Sequence, residues 1–208
     1  SIAPSSYAVL NAKPNTITAT EDIVFDFSTT DFLFTGPGLP VAVEIRTLPT
    51  QGTLFDNGTK ITSVPHAMAF ASLNTLDYDP NDDVFGTGLD SFDWRVSDGG
   101  PFGGDGTMTV DVDGVNDDPV AQPNSFTVLE GAAADETDLD TPATLLQGLT
   151  DVDTGDTHTV NTTAVVDASH GTLLLASDGT FDYTHNGSEN FSDTFTYQAI
   201  DAFGNTGQ

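Results

Sequence analysis

A chain of 208 residues carrying 32 acidic side chains against 4 Lys and Arg has a formal net charge of −28. Phosphate backbones and anionic bilayers repel such a surface, which argues against nucleic acid as a partner, and bound cations would relieve its self-repulsion. With no Cys there is no disulfide or thiolate chemistry, and no apolar run approaches the roughly 18 residues that read as a membrane span, so direct membrane insertion is not expected.

In chain order, helix signals are almost absent and strand signals are dense. Thr20-Glu21-Asp22 is the first acidic group, followed by Thr30-Asp31-Phe32-Leu33. Residues 52–62 read as a hairpin around Asp56-Asn57-Gly58, because an Asx-Gly pair supplies the positive φ angles of a tight turn. Asp79, Asp82 and Asp90 cluster before Phe92-Asp93-Trp94-Arg95-Val96, which alternates apolar and polar with period two, as does Thr107-Met108-Thr109-Val110-Asp111-Val112. Trp94 occupies a core position of that alternation. The run Val115-Asn116-Asp117-Asp118-Pro119-Val120-Ala121 then interrupts the pattern. Beyond it, residues 132–140 read as an extended acidic loop and Asp151-Val152-Asp153-Thr154-Gly155-Asp156 as a tight acidic loop. Residues 171–183 read as a second hairpin, around Ser177-Asp178-Gly179, and Phe195-Thr196-Tyr197-Gln198-Ala199 again alternates.

The second half repeats the first. Gly52-Thr53-Leu54 returns as Gly171-Thr172-Leu173, Leu76-Asp77-Tyr78 as Phe181-Asp182-Tyr183, and Asp90-Ser91-Phe92 as Asp193-Thr194-Phe195, in the same order. A spacing of about 100 residues suits a sandwich domain rather than a solenoid repeat. The expected fold is all-β, two tandem Greek-key (immunoglobulin/cadherin-like) β-sandwich domains, residues 1–116 and 117–208. The second is expected to lack the strand matching residues 106–112, leaving an open sheet edge that recruits a partner strand or weakens that domain.

The junction Val115-Asn116-Asp117-Asp118-Pro119-Val120-Ala121 resembles the calcium-binding linker of cadherins, and more closely the Val-Asn-Asx-x-Pro-Val-Ala junctions of bacterial cadherin-like repeats in large secreted or surface adhesins of the RTX type. Carboxylate and amide oxygens suit a hard cation. The resemblance implies Ca2+ ligands by position: the strand-A Glu21, Asp82 and Asp90 near the EF loop, Asn116 and Asp117 of the linker, the Asp-x-Asp loop residues Asp151 and Asp153, and Asp201 after strand F. Glu130 and Asp98 repeat Glu21 and Asp201 at the outer ends. Three departures reduce the expected number of ions to one or two. Gly114 stands where the cadherin pattern has an Asp, the Asp-Arg-Glu motif is absent, and the linker is one residue shorter before its Pro.

The implied function is structural: a module of a bacterial extracellular adhesin in which Ca2+ stiffens the junction, with neighbouring repeats of the same polypeptide as partners. Cell-surface polysaccharide and self-association are further expected contacts. The alternative is a polysaccharide-binding module of a secreted protein, for which an exposed patch of Phe32, Phe34 and Phe102 would speak. An enzyme is not expected, because no nucleophile elbow, His cluster or carboxylate-lined cleft stands out among His66, His158, His170, His185 and the acids.

Overall fold

The structure is a computed structural model that describes residues 9–139 and 144–208. Asp140, at the end of the expected acidic loop, lies outside the described residues. The chain divides into two compact units between Val115 and Asn116, one residue before the boundary read from sequence.

Unit 1 contains β1 (Asn11–Ala12), β2 (Asn15–Thr20), β3 (Phe25–Asp26), β4 (Phe34–Thr35), β5 (Ala42–Ile45), β6 (Gly52–Asp56), β7 (Thr59–Lys60), β8 (His66–Ala69), β9 (Leu76–Pro80), β10 (Gly86–Ser97) and β11 (Gly106–Asp113). A short 3-10 helix, Phe70–Thr75, precedes β9. Besides a two-stranded pairing of β1 with β4, one sheet runs β2-β11-β10-β5-β8 and another β3-β9-β6-β7, with sequence-distant strands as neighbours, as a Greek key requires. β11 pairs antiparallel with β10 and parallel with β2. Period-two alternation sends Phe92, Trp94 and Val96 of β10, and Met108, Val110 and Val112 of β11, into the core with Leu54, Leu76 and Tyr78 of the other sheet. Phe32 stacks edge-on against Trp94, with ring centroids 4.8 Å apart.

Unit 2 contains β12 (Ala133–Asp135), β13 (Thr159–Val160), β14 (Gly171–Leu175), β15 (Phe181–His185), β16 (Ala199–Ile200) and β17 (Thr206–Gly207). Its sheets run β12-β15-β14 and β13-β16-β17. The core is smaller: Leu145, Val160, Phe181 and Tyr183 are buried, with Phe126, Phe195 and Tyr197 packed against them. The expectation that the last strand is missing is corrected in part. β17 pairs with β16 through Ile200–Thr206 and Ala199–Gly207, so that strand has begun within the chain.

The repeated residues build one device twice. In unit 1 Asp90 accepts the N–H groups of Thr50, Gln51 and Ser91 and the Tyr78 hydroxyl, at 2.8–3.0 Å. In unit 2 Asp193 accepts the N–H groups of Ser169, His170 and Thr194 and the Tyr183 hydroxyl, at 2.7–3.0 Å. Each Tyr ring lies on the glycine that opens the facing strand. A Cβ on Gly52 would sit 2.4 Å from the Tyr78 ring, and one on Gly171 2.3 Å from that of Tyr183, so no side chain fits at either place.

Candidate functional site: the acidic ends of the two units

At the end of unit 1, β2 stops at Thr20 and the chain turns through Asp22, whose φ is +60°, a conformation Asp tolerates better than most residues. The turn buries Glu21 completely. Its N–H bonds to Asp113 O at 3.0 Å, and its Oε1 accepts the Val115 N–H at 2.6 Å. Oε2 is enclosed and has no hydrogen-bond partner. Gly114 sits against this carboxylate. A Cβ there would meet the Phe85 ring at 3.1 Å and Glu21 Oε1 at 3.4 Å, which gives a steric reason for the departure from Asp.

The two expected companions of Glu21 differ from it in burial or in bonding. Asp82 lies on an exposed turn next to Asp83. Asp90 is buried and pairs in register with Val110, whereas Glu21 follows the Thr20–Asp113 pair, three residues further along β11. Its carboxylate is committed to the Tyr78 device, because a buried charge must be fully hydrogen-bonded where it stands. Asp90 therefore does not join the Glu21 site.

At the start of unit 2 the expected residues come together. A bridge between Val120 and Thr150, with N–H···O distances of 2.8 and 3.1 Å, lays the linker beside the loop 151–156. The Asn116 amide donates to Asp201 Oδ2, and the Asn205 amide donates to Asn116 O at 3.1 Å. The Asp117 N–H donates to Asp153 Oδ2 at 2.7 Å. Asp201 Oδ1 accepts the N–H groups of Phe203, Gly204 and Asn205 at 2.6–2.8 Å, which shapes the turn into β17. Asp151 Oδ1 accepts the Asp153 N–H at 3.0 Å.

Two members of this group escape the sequence pattern. Asp156 closes the loop, and its Oδ2 is enclosed without a partner, as is Asn116 Oδ1. His158, set aside for lack of metal spacing, places Nε2 2.6 Å from Asp151 Oδ2. Only the Asp-x-Asp spacing was a signal here; Asp156 lies outside it, and nothing in the sequence pairs His158 with Asp151.

The electrostatics are one-sided. All four Lys and Arg residues (Lys13, Arg46, Lys60, Arg95) precede the linker, so unit 2 has no permanent cation to set against its acids. Desolvation, then the charges of Asp151, Asp153 and Asp201, push Asp156 above the usual carboxylate range, with His158 opposing weakly. Desolvation also works to raise Asp201, but the bonds from Asn116, Asn205, Phe203 and Gly204 outweigh it and hold Asp201 below that range. Among the described residues no three His, Asp or Glu side chains converge as they stand on a point that would hold a metal ion. Their oxygens are turned instead to backbone N–H groups. The donor set is nevertheless all carboxylate and amide oxygen apart from His158, with two enclosed oxygens unspent, and this chemistry fits a hard divalent cation such as Ca2+.

At the outer ends, Glu130 and Asp98 are exposed, unlike the buried Glu21 and Asp201 they repeat. The aromatic patch expected for a sugar surface is not assembled. Phe32 is buried, Phe34 is half-buried with its ring edge-on to Phe70, and Phe102 is half-buried with its ring 4.9 Å from the Arg95 guanidinium.

The family profile described as bacterial cadherin-like domain matches residues 116–208. A search of curated proteins found no match. Solved structures similar to the chain are immunoglobulin-type adhesion and receptor proteins. The N-terminal eight Ig domains of Down Syndrome Cell Adhesion Molecule share 12% identity at a TM-score of 0.32, over 93% of this chain and 22% of that one. Murine CEACAM1b shares 12% identity at a TM-score of 0.22, over 93% and 92%. The tandem Ig repeats of Dlar share 10% identity at a TM-score of 0.23, over 98% and 95%. The present chain thus spans about a fifth of the eight-domain structure (22%). At these scores the likenesses carry no argument, and the fold rests on the strand pairing described above.

Proposed function

We propose that this chain, whose residues 116–208 match the bacterial cadherin-like domain profile, is a structural module of an extracellular adhesion protein that takes up Ca2+ at the linker end of that segment. Domains of this kind are typically structural or adhesive, and among the described residues no helix is long and apolar enough to cross a membrane. The observation that carries the reading is the enclosed, unspent oxygens of Asn116 and Asp156 within a group of acids that has no Lys or Arg to balance it. Asn116, Asp117, Asp151, Asp153, Asp156 and Asp201 would supply the oxygens, and the ion would supply the missing positive charge. Within unit 1, the unspent Glu21 Oε2 is a further enclosed oxygen that would accept a cation. Bound ion would tie the linker to the loop 151–156 and the turn at Asp201 and so stiffen it, with neighbouring repeats of the same polypeptide as the mechanical partners.

Calcium titration of chelator-treated protein tests this. Saturable heat is expected, with the melting of unit 2 raised by about 2.7 kcal/mol at a hundredfold excess over Kd. Asp153→Ala should weaken the binding by at least about tenfold while the β-sheet circular dichroism stays unchanged. Equal heats for the wild type and the variant would sink the assignment.

A further inference from the structure

The chain holds two Asn-Gly pairs, Asn57-Gly58 and Asn186-Gly187, each followed by a hydroxyl residue, Thr59 and Ser188. In such a pair the side-chain amide is open to attack by the next backbone nitrogen, because Gly brings no side chain to block the approach. Both pairs are exposed, so local sequence and exposure do not tell them apart. Their hydrogen bonds do.

At Asn186 the reacting groups are held. The Gly187 N–H donates to Nδ1 of the buried His185 at 3.1 Å, and the same nitrogen accepts the Gly131 N–H at 3.2 Å. The other ring nitrogen, Nε2, lies 3.2 Å from Asn190 O, a contact that places the ring proton there and leaves Nδ1 an acceptor. Asn186 Oδ1 accepts the Ser188 N–H at 3.0 Å, and the Asn186 N–H donates to His170 O at 2.9 Å. Attack by the Gly187 nitrogen requires that its proton leave and that the Asn186 side chain turn, and each step breaks one of these bonds.

At Asn57 the same groups are free. Among the described residues neither the Gly58 N–H nor the Asn57 side chain makes a hydrogen bond; the Asn57 N–H alone is tied, to Thr75 O at 2.7 Å. A Cβ on Gly58 would meet nothing within 4 Å. The φ angles of Asn57 and Gly58 are +49° and +72°, those of a two-residue hairpin turn. The strand that closes this turn, β7, is two residues long and stands at the edge of its sheet, so the turn opens at low cost.

We propose that Asn57 is a self-modification site, at which the Gly58 nitrogen closes on the side chain to form a succinimide. The nitrogen gives its proton to hydroxide and bonds to Asn57 Cγ; the Cγ–Nδ2 bond breaks and the nitrogen of the amide leaves as ammonia. Water then opens the ring at either carbonyl, giving an aspartyl or an isoaspartyl link. The isoaspartyl form carries one extra main-chain carbon, which the Asp56–Thr59 pairing has no room for. Either product sets a new carboxylate beside Asp56, whose own carboxylate holds His66 Nε2 at 2.8 Å and the Thr75 hydroxyl at 3.0 Å.

The test is incubation of the folded 208-residue chain at mildly alkaline pH, beside a sample in denaturant, with peptide mass spectrometry following the change from amide to acid at both positions. In the folded chain Asn57 is expected to convert at least about tenfold faster than Asn186, whereas in denaturant the two rates should agree within about twofold. Equal rates in the folded chain, or a faster Asn186, overturn the proposal. So does an Asn57 that keeps its amide in the folded chain while reacting in denaturant. The same large ratio in both samples also overturns it, since the selectivity then comes from sequence and not from the hydrogen bonds of the fold.

Discussion

Glu21 is fully buried with one oxygen unsatisfied, an arrangement that costs stability unless a cation meets it. Glu21→Gln should therefore stabilise unit 1 in EDTA, by about 1–2 kcal/mol, and remove part of the gain that Ca2+ gives the wild type; chemical denaturation in both buffers reads both effects. Asp193 lends itself to a pH test. Desolvation acts to raise it, but four donors (Ser169, His170 and Thr194 N–H and the Tyr183 hydroxyl) hold it below the usual carboxylate range. A depressed folded value means that the contact stabilises unit 2 above the unfolded pKa of about 3.9 and is lost as pH falls through the folded value. Asp193→Asn should flatten the acid limb of the unit 2 stability profile. The hydroxyl that points at it, Tyr183, is pushed up to about 12 by burial and by Asp193, so it stays a donor up to strongly alkaline pH. Tyr183→Phe should cost about 1 kcal/mol across the neutral range. Sequence alone gave Asp193 as part of a repeat but not its role, because four-donor satisfaction of a carboxylate depends on two backbone segments far apart in the chain. The matching role of Asp90 escaped the sequence for the same reason.

At the scale of elements, β10, β11 and both hairpins were legible because period-two alternation and Asx-Gly turns are local signals. The repeat Gly-Thr-Leu marks a strand whose first residue must have no side chain. Gly52→Ala and Gly171→Ala should each destabilise their own unit by about 1–3 kcal/mol, since a Cβ would overlap the tyrosine ring; melting followed by a probe in each unit separates the two effects. The weaker strands of unit 2 were less legible. β13, β16 and β17 are two residues each, and residues 124–129 repeat β2 without forming a ladder. A segment becomes a strand only when a neighbour accepts its hydrogen bonds, and that depends on the sheet rather than on the segment.

For the whole molecule, the charge of −28 and its distribution matter more than any single acid. The convergence of Asn116, Asp117, Asp151, Asp153 and Asp201 followed from the order of strands in a Greek key, which places linker, loop and turn at one end. Asp156 joins them only through the closing of its loop. Neutralising it should make unit 2 less dependent on cations. Asp156→Asn is expected to raise the melting temperature in EDTA and to narrow the difference between EDTA and Ca2+, as read by differential scanning calorimetry. The most direct test of the central claim is small-angle scattering of the intact chain in EDTA and in millimolar Ca2+. A cation that stiffens the linker predicts a broad, more compact distribution of particle lengths in EDTA and a narrow, extended one in Ca2+, with Asp153→Ala behaving as in EDTA under both conditions. Superimposable curves with and without Ca2+ would contradict it.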